Sequence, residues 1–262
     1  MQSVELLDLP GLPRGLRTLM TEYLQAAERL GGARVVELLA GKVESLVSGR
    51  ESREVVDLCS GSGGLTPAVA RRLAEAGKAV HVTLTDRFPD PGAAARLSAE
   101  ERAVVRACPD PVDARAVPAA LRGARTVFIG FHHFPAAAAR EVLADAVRAG
   151  EPILVFEATE RSWAALLPFA LATPLLVWLL TPFVRPFRWS RLLFTYLLPI
   201  LPLAVVWDGV VSHLRTYTCD ELRALGSGVD GGWSWEARRE RIPGTPVFAT
   251  SLLGRPPARE AT

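Results

Sequence analysis

The chain has 262 residues, 49% of them hydrophobic, and a net charge of +2. That is material for one large α/β domain, or one domain with a sizeable insertion. So small a charge gives no electrostatic footprint for nucleic acid, and the three scattered cysteines, Cys59, Cys108 and Cys219, exclude a disulfide framework and lack metal-ligand spacing.

Met1–Pro10 carries Glu5 and Asp8 and lacks a basic stretch followed by an apolar one, so it does not read as a secretory signal. The expected compartment is the cytoplasm or the inner face of its membrane. Residues 11–48 read as two helices, with Leu16, Leu19, Met20, Tyr23 and Leu24 and then Val35, Val36, Leu38, Leu39 and Val43 at helical spacing. From Val55 onward short apolar runs alternate with helical stretches. Strands are predicted at Val55–Cys59, Ala79–Thr85, Val104–Cys108, Arg125–Gly130 and Pro152–Glu157, with helices at Leu65–Gly77 and Pro135–Gly150. Such alternation implies βαβ units and a parallel sheet. After a long apolar interval, a helix at Cys219–Leu225 precedes a hairpin of Trp233–Arg241 and Pro246–Leu253, turned by Ile242-Pro-Gly-Thr. The tail Arg255–Thr262 is expected to fray.

The strongest chemical signal is Val55-Val-Asp-Leu-Cys-Ser-Gly-Ser-Gly-Gly64, a strand ending in an acid and running into a glycine-rich turn. Glycines belong where a ligand must lie against backbone without Cβ, at the carboxyl ends of the strands of an open α/β sheet. The dinucleotide fingerprint would need a third glycine at the position held by Thr66. Two further acids follow later strands, Asp86 in Thr83-Leu-Thr-Asp86 and Asp113 in Pro111-Val-Asp-Ala-Arg115.

These segments resemble class I S-adenosylmethionine (SAM) dependent methyltransferases, whose first motif runs (D/E)-x-G-x-G-x-G. Asp57, Gly61 and Gly63 match it, and Cys59 stands at its first glycine. The resemblance implies a SAM cofactor, with Asp86 accepting from both ribose hydroxyls and Asp113 from the adenine amino group. Cys59, Ser60, Arg87, Ala114 and Phe131 would complete the cofactor contacts. The fold it implies is α/β. It is a Rossmann-like, seven-stranded, mostly parallel sheet with helices on both faces, an N-terminal helical segment and an apolar helical insertion after strand 5. Residues 1–50 would form a helical cap, 51–160 the SAM-binding core, 161–215 the insertion, and 216–262 the helix and hairpin that complete the sheet.

In this family the residues after strand 4 face the methyl group. Here they read Phe131-His-His-Phe-Pro135, unlike the Asn/Asp-Pro-Pro-Tyr of many amino-group methyltransferases. The chain contains no Asn, which disfavours the usual metal-dependent catechol arrangement. No metal is expected. His133 and His132 are the candidate bases, since imidazole titrates near neutral pH; support of the loop is the alternative role for either. Glu157 points to the ligand edge or caps the following helix.

Trp163–Val184 is a run of 22 residues without a charge, and Leu192–Trp207 a second of 16. The first would measure about 33 Å as a helix, enough to cross a bilayer. Pro168, Pro174, Pro182, Pro199 and Pro202 are expected to break or kink these helices. Arg185, Arg188 and Arg191 in the connector oppose a two-pass hairpin by the positive-inside tendency. Two readings stay open: a lid lining an apolar pocket, or peripheral contact with a membrane. Either one implies a small hydrophobic substrate, with Glu157, Tyr196, Asp208 and His213 as candidate contacts. Asp208 and Arg215, seven apart on one helical face, are alternatively a structural pair. Three functions are consistent with these residues. They are O- or C-methylation, a SAM-binding cyclase or isomerase that transfers no methyl, and a membrane-docked module without catalysis. Oligomeric state is not legible.

Overall fold

A computed structural model describes residues 4–229 and 231–257. The helices before the sheet are α1 (Arg14–Gly31) and α2 (Ala33–Val47). Then come β1 (Glu54–Leu58), α3 (Thr66–Glu75), β2 (His81–Leu84), α4 (Ala93–Arg96), α5 (Ala99–Arg102), β3 (Val105–Ala107), β4 (Ala124–Phe128), α6 (Ala136–Ala149) and β5 (Ile153–Glu157). The apolar interval forms α7 (Trp163–Leu180), α8 (Trp189–Leu192), a π turn at Leu193–Leu197 and α9 (Ile200–Arg215). The chain closes with α10 (Cys219–Ser227), β6 (Ser234–Arg241) and β7 (Phe248–Arg255). Arg255, expected in a frayed tail, ends β7, and residues 258–262 of that tail lie outside the described residues.

The chain divides into two compact units, residues 1–33 with 159–216, and residues 34–158 with 217–262. The larger unit holds a seven-stranded sheet in the order β3-β2-β1-β4-β5-β7-β6. β1 through β5 pair in parallel, and β7 runs antiparallel between β5 and β6. The alternation of side chains along each strand separates two cores. Val55, Val82, Leu154 and Phe156 pack with Leu39 and Val43 of α2 and Val69 and Leu73 of α3. Val56, Leu58, Ile153 and Val155 pack on the other face with Val142 and Leu143 of α6 and Leu222 and Leu225 of α10. Helices therefore cover both faces, as a parallel sheet requires.

The smaller unit packs Leu19, Met20 and Tyr23 of α1 with Val177 of α7, Val184, and Leu201, Ala204 and Val205 of α9. Pro168 and Pro174 were expected to interrupt α7, yet both lie inside it. Each removes one helical hydrogen bond, and packing against α9 holds the helix together. Gly209 permits that packing, because a Cβ there would sit 2.0 Å from Cζ of Phe169. The second apolar run does break, bending by 79° between the π turn and α9 at Leu198-Pro199. Glu22 of α1 fastens the connector by pairing with both Arg188 and the buried Arg191. Arg191 also donates to the carbonyls of Val184 and Pro186 at 2.9 and 3.0 Å. Asp208 and Arg215 do not pair with each other. Asp208 accepts from the amides of Leu6 and Leu7 at 2.5 and 3.1 Å, and Arg215 donates to Asp8 at 3.0 Å.

Candidate active site

Strand order reverses direction between β1 and β4, and the predicted cofactor residues, the two histidines and Glu157 follow or end the strands around that point, whereas Tyr196, Asp208 and His213 belong to the smaller unit. The turn after β1 has a backbone few residues adopt. Cys59, Gly61, Gly63 and Gly64 have φ of 58°, 53°, 107° and 50°. Left-handed backbone favours glycine, so Cys59 occupies a glycine conformation at the motif's first glycine position. Burial pushes its thiol up to about 12, with Asp86 and Asp57 adding to the effect, so it stays protonated and unreactive. A Cβ on Gly61 would enter open space, leaving bare backbone on that side of the turn.

Asp57 lies beneath this turn. It is buried, and its carboxylate accepts from Ser60 Oγ and Thr66 Oγ1, each at 2.8 Å, and from Thr126 Oγ1 at 2.6 Å. Thr126 stands opposite Asp57 in the β1–β4 register. These bonds tie the turn to the start of α3 and to β4, so Asp57 shapes the site from within. Desolvation nonetheless raises its pKa to about 6, outweighing the three hydroxyl donors. A carboxyl raised above its unfolded value near 4 binds its proton more tightly when folded. Its stabilising contribution is full below about pH 4 and is lost as pH rises through about 6. Asp57→Asn is expected to remove that loss, which is on the order of 3 kcal/mol for two pKa units. The melting temperature of the variant minus that of wild type should climb between pH 4 and 6; a flat difference would refute the assignment.

Asp86 follows β2 and reaches back to the turn. Its Oδ2 accepts from the Gly61 amide and its Oδ1 from the Phe88 amide, both at 2.8 Å. The Val112 amide donates to the Asp86 carbonyl at 2.8 Å and brings the segment after β3 alongside. There Asp113 is gripped by Arg115 through Nε at 2.9 Å and Nη2 at 2.6 Å, and these bonds hold its carboxyl down at about 2. Ala114 is buried beside it, and Arg87 is exposed over Phe88. Phe131, predicted among the cofactor contacts, is wholly buried and its ring packs with Phe134 and Tyr217. Its side chain belongs to the core, because the loop turns it inward beneath the site.

The loop after β4 is strained. Ile129 has φ of 54°, a β-branched residue in left-handed backbone, which the structure must over-determine to maintain. Glu157 supplies much of that constraint. Its Oε1 accepts from the amides of Phe131 and His132 at 2.8 and 3.0 Å, and its Oε2 lies 2.9 Å from His132 Nδ1. Both side chains are buried. Glu157 therefore caps this loop; the following helix takes its cap from Ser162. His133 lies over His132 with ring centroids 4.3 Å apart, and Tyr217 Oη donates to the Phe134 carbonyl at 2.6 Å. In the smaller unit, Tyr196 Oη donates to the Trp178 carbonyl at 2.6 Å, and His213 Nδ1 is 2.7 Å from the Gly209 carbonyl oxygen.

A sheet in this order with one antiparallel strand, an acid near the end of β1 and acids following β2 and β3, is the class I methyltransferase arrangement. Human N-acetylserotonin methyltransferase, solved with SAM, superposes with TM-score 0.52 at 16% identity, covering 93% of this chain and 56% of that one. The chain has the class I methyltransferase fold. An O-methyltransferase family protein from Burkholderia thailandensis gives TM-score 0.46 at 16% identity, covering 86% of this chain and 57% of that one. A neocarzinostatin-biosynthesis O-methyltransferase, solved with SAM and 2-hydroxy-5-methyl naphthoic acid, gives 0.45 at 17%, covering 87% and 60%. The chain thus spans little more than half the length of these methyltransferases. At such identities the likeness is one of fold. No family model and no curated protein matches the sequence.

Within this methyltransferase fold, the residues missed from sequence are those that brace others: Thr126, Ile129 and Tyr217. Thr126 becomes visible only once β1 and β4 are placed in register, and nothing local marks the other two. A groove of about 560 Å³ between α2 and the β6–β7 hairpin, lined by residues such as Glu37, Ser45 and Arg255, includes none of the predicted site residues.

Proposed function

We propose that the chain is a SAM-dependent methyltransferase that methylates an oxygen or carbon of a small hydrophobic molecule, with its helical unit in peripheral contact with a membrane. The observation that carries the cofactor is the turn after β1. Bare left-handed backbone at Gly61 faces open space, and the Gly61 amide is bonded to a partly exposed Asp86 carboxylate. That donor set suits SAM. Ser60, Gly61 and Gly63 offer backbone, Asp86 accepts from ribose hydroxyls, and Asp113, held ionised by Arg115, accepts from the adenine amino group. Arg87 and Ala114 flank these groups. Bound there, SAM supplies an electrophilic methyl group.

The protein then has to orient the acceptor, remove its proton and exclude water. Ionised, Glu157 is an acceptor only and places the imidazole hydrogen of His132 on Nδ1, leaving the lone pair on Nε2. His132 is the base, Glu157 positions it, and His133 orients the acceptor beside it. The hydrophobic acceptor follows from the apolar composition of 161–207. Asp86→Ala is expected to weaken SAM binding by about 1–3 kcal/mol through loss of hydrogen bonds to a charged acceptor. Calorimetric titration checks this, and unchanged affinity would move the ribose site elsewhere.

A further inference from the structure

The smaller unit exposes a long apolar surface. Along α7, Trp163, Leu167, Leu171, Leu175 and Leu179 recur every fourth residue, and each is more than half exposed. Leu203 and Trp207 extend an apolar face along α9, and Trp189 and Leu197 lie exposed on the connection between the helices. An exposed apolar surface of this extent marks an interaction site.

Charge selects the partner. From Arg161 to Trp207 the sequence has no carboxylate, and its charges are four arginines. Arg188 and the buried Arg191 both pair with Glu22, whereas Arg185 is exposed. A second copy applied face to face would bring arginine against arginine. An anionic phospholipid supplies the negative charge this surface lacks. Its exposed Trp and Tyr residues are those that settle at headgroup depth.

Depth separates lying on a bilayer from crossing it. By length and composition Trp163–Phe183 is apolar enough to cross, with mean hydropathy 2.0. Helix α1, however, packs into the same unit, and its outward side carries Arg14, Thr18 and Arg29. Crossing would draw these two arginines and a hydroxyl into hydrocarbon, at high cost. A one-sided contact leaves them in water.

We propose that α7 and α9 form an in-plane anchor for anionic phospholipid. The apolar rows enter the acyl boundary, and Arg185 meets the phosphates. This deepens the membrane contact included in the proposed function and is independent of the cofactor.

The test is sedimentation of the full chain with phosphatidylcholine vesicles, and with the same vesicles containing phosphatidylglycerol. Binding to the mixed vesicles is expected. It should weaken about tenfold or more in L171S/L175S and about fivefold or more in Arg185→Glu, with circular dichroism unchanged in both. Equal binding to neutral vesicles overturns the anionic assignment while leaving peripheral contact standing. Failure to sediment with either vesicle overturns both. A dimer in vesicle-free solution that L171S/L175S dissociates, without vesicle binding by wild type, assigns the face to a second copy and overturns the lipid.

Discussion

Glu157→Gln is expected to lower turnover by about 10²–10⁴-fold, the usual worth of a general base, while leaving the fold and SAM affinity near wild type. The amide oxygen still accepts from the Phe131 and His132 amides, which Glu157 holds at 2.8 and 3.0 Å. At the other end the change inverts the bond to His132. Glutamine presents NH₂ where the carboxylate presented an acceptor, so Nδ1 must accept and the imidazole hydrogen moves to Nε2. The base is then in the wrong tautomer. Nitrogen-15 shifts of the imidazole report this without a substrate: wild type should carry its hydrogen on Nδ1 and the variant on Nε2. Retained turnover with an inverted tautomer would remove His132 from the chemistry and leave the pair as a loop brace.

Gly123→Ala should destabilise the fold by about 3–5 kcal/mol. Gly123 precedes β4 with φ of 130°, and a Cβ there would lie 2.5 Å from the Glu54 carbonyl oxygen. That oxygen is backbone at the start of β1, which pairs with both β2 and β4. It cannot swing aside as a side chain would. Either the two central strands separate locally or β4 shifts, and each route also carries the left-handed strain. The melting temperature should fall by about 10 °C for a chain of this size. A change within about 1 °C would mean the β1–β4 junction is looser than its register indicates.

The strands were legible because parallel strands buried on both faces read as apolar runs, as Ile153–Phe156 does. The glycine turn was legible because left-handed backbone leaves glycines in the sequence. What was hidden depends on pairings between distant residues. Thr126 reaches Asp57 across 69 positions, and Glu157 reaches His132 across 25. No local pattern therefore distinguishes His132 from His133. Helix α5 was readable and overlooked, since Ser98 and Glu101 form a capping box. The prolines of α7 misled because tertiary packing overrides a local breaker. Asp208 and Arg215 share a helical face, but the chain around Leu6 and Asp8 claims each of them first.

Calorimetric titration of the whole chain with SAM and, separately, with S-adenosylhomocysteine tests the central claim most directly. Micromolar binding of both is the predicted result, and apolar acceptors can then be screened by product mass. SAM binding with turnover of an acceptor but no S-adenosylhomocysteine formed would contradict methyl transfer and point to a cyclase or isomerase. No heat with either ligand would contradict the cofactor itself, leaving a methyltransferase fold used for something other than SAM chemistry.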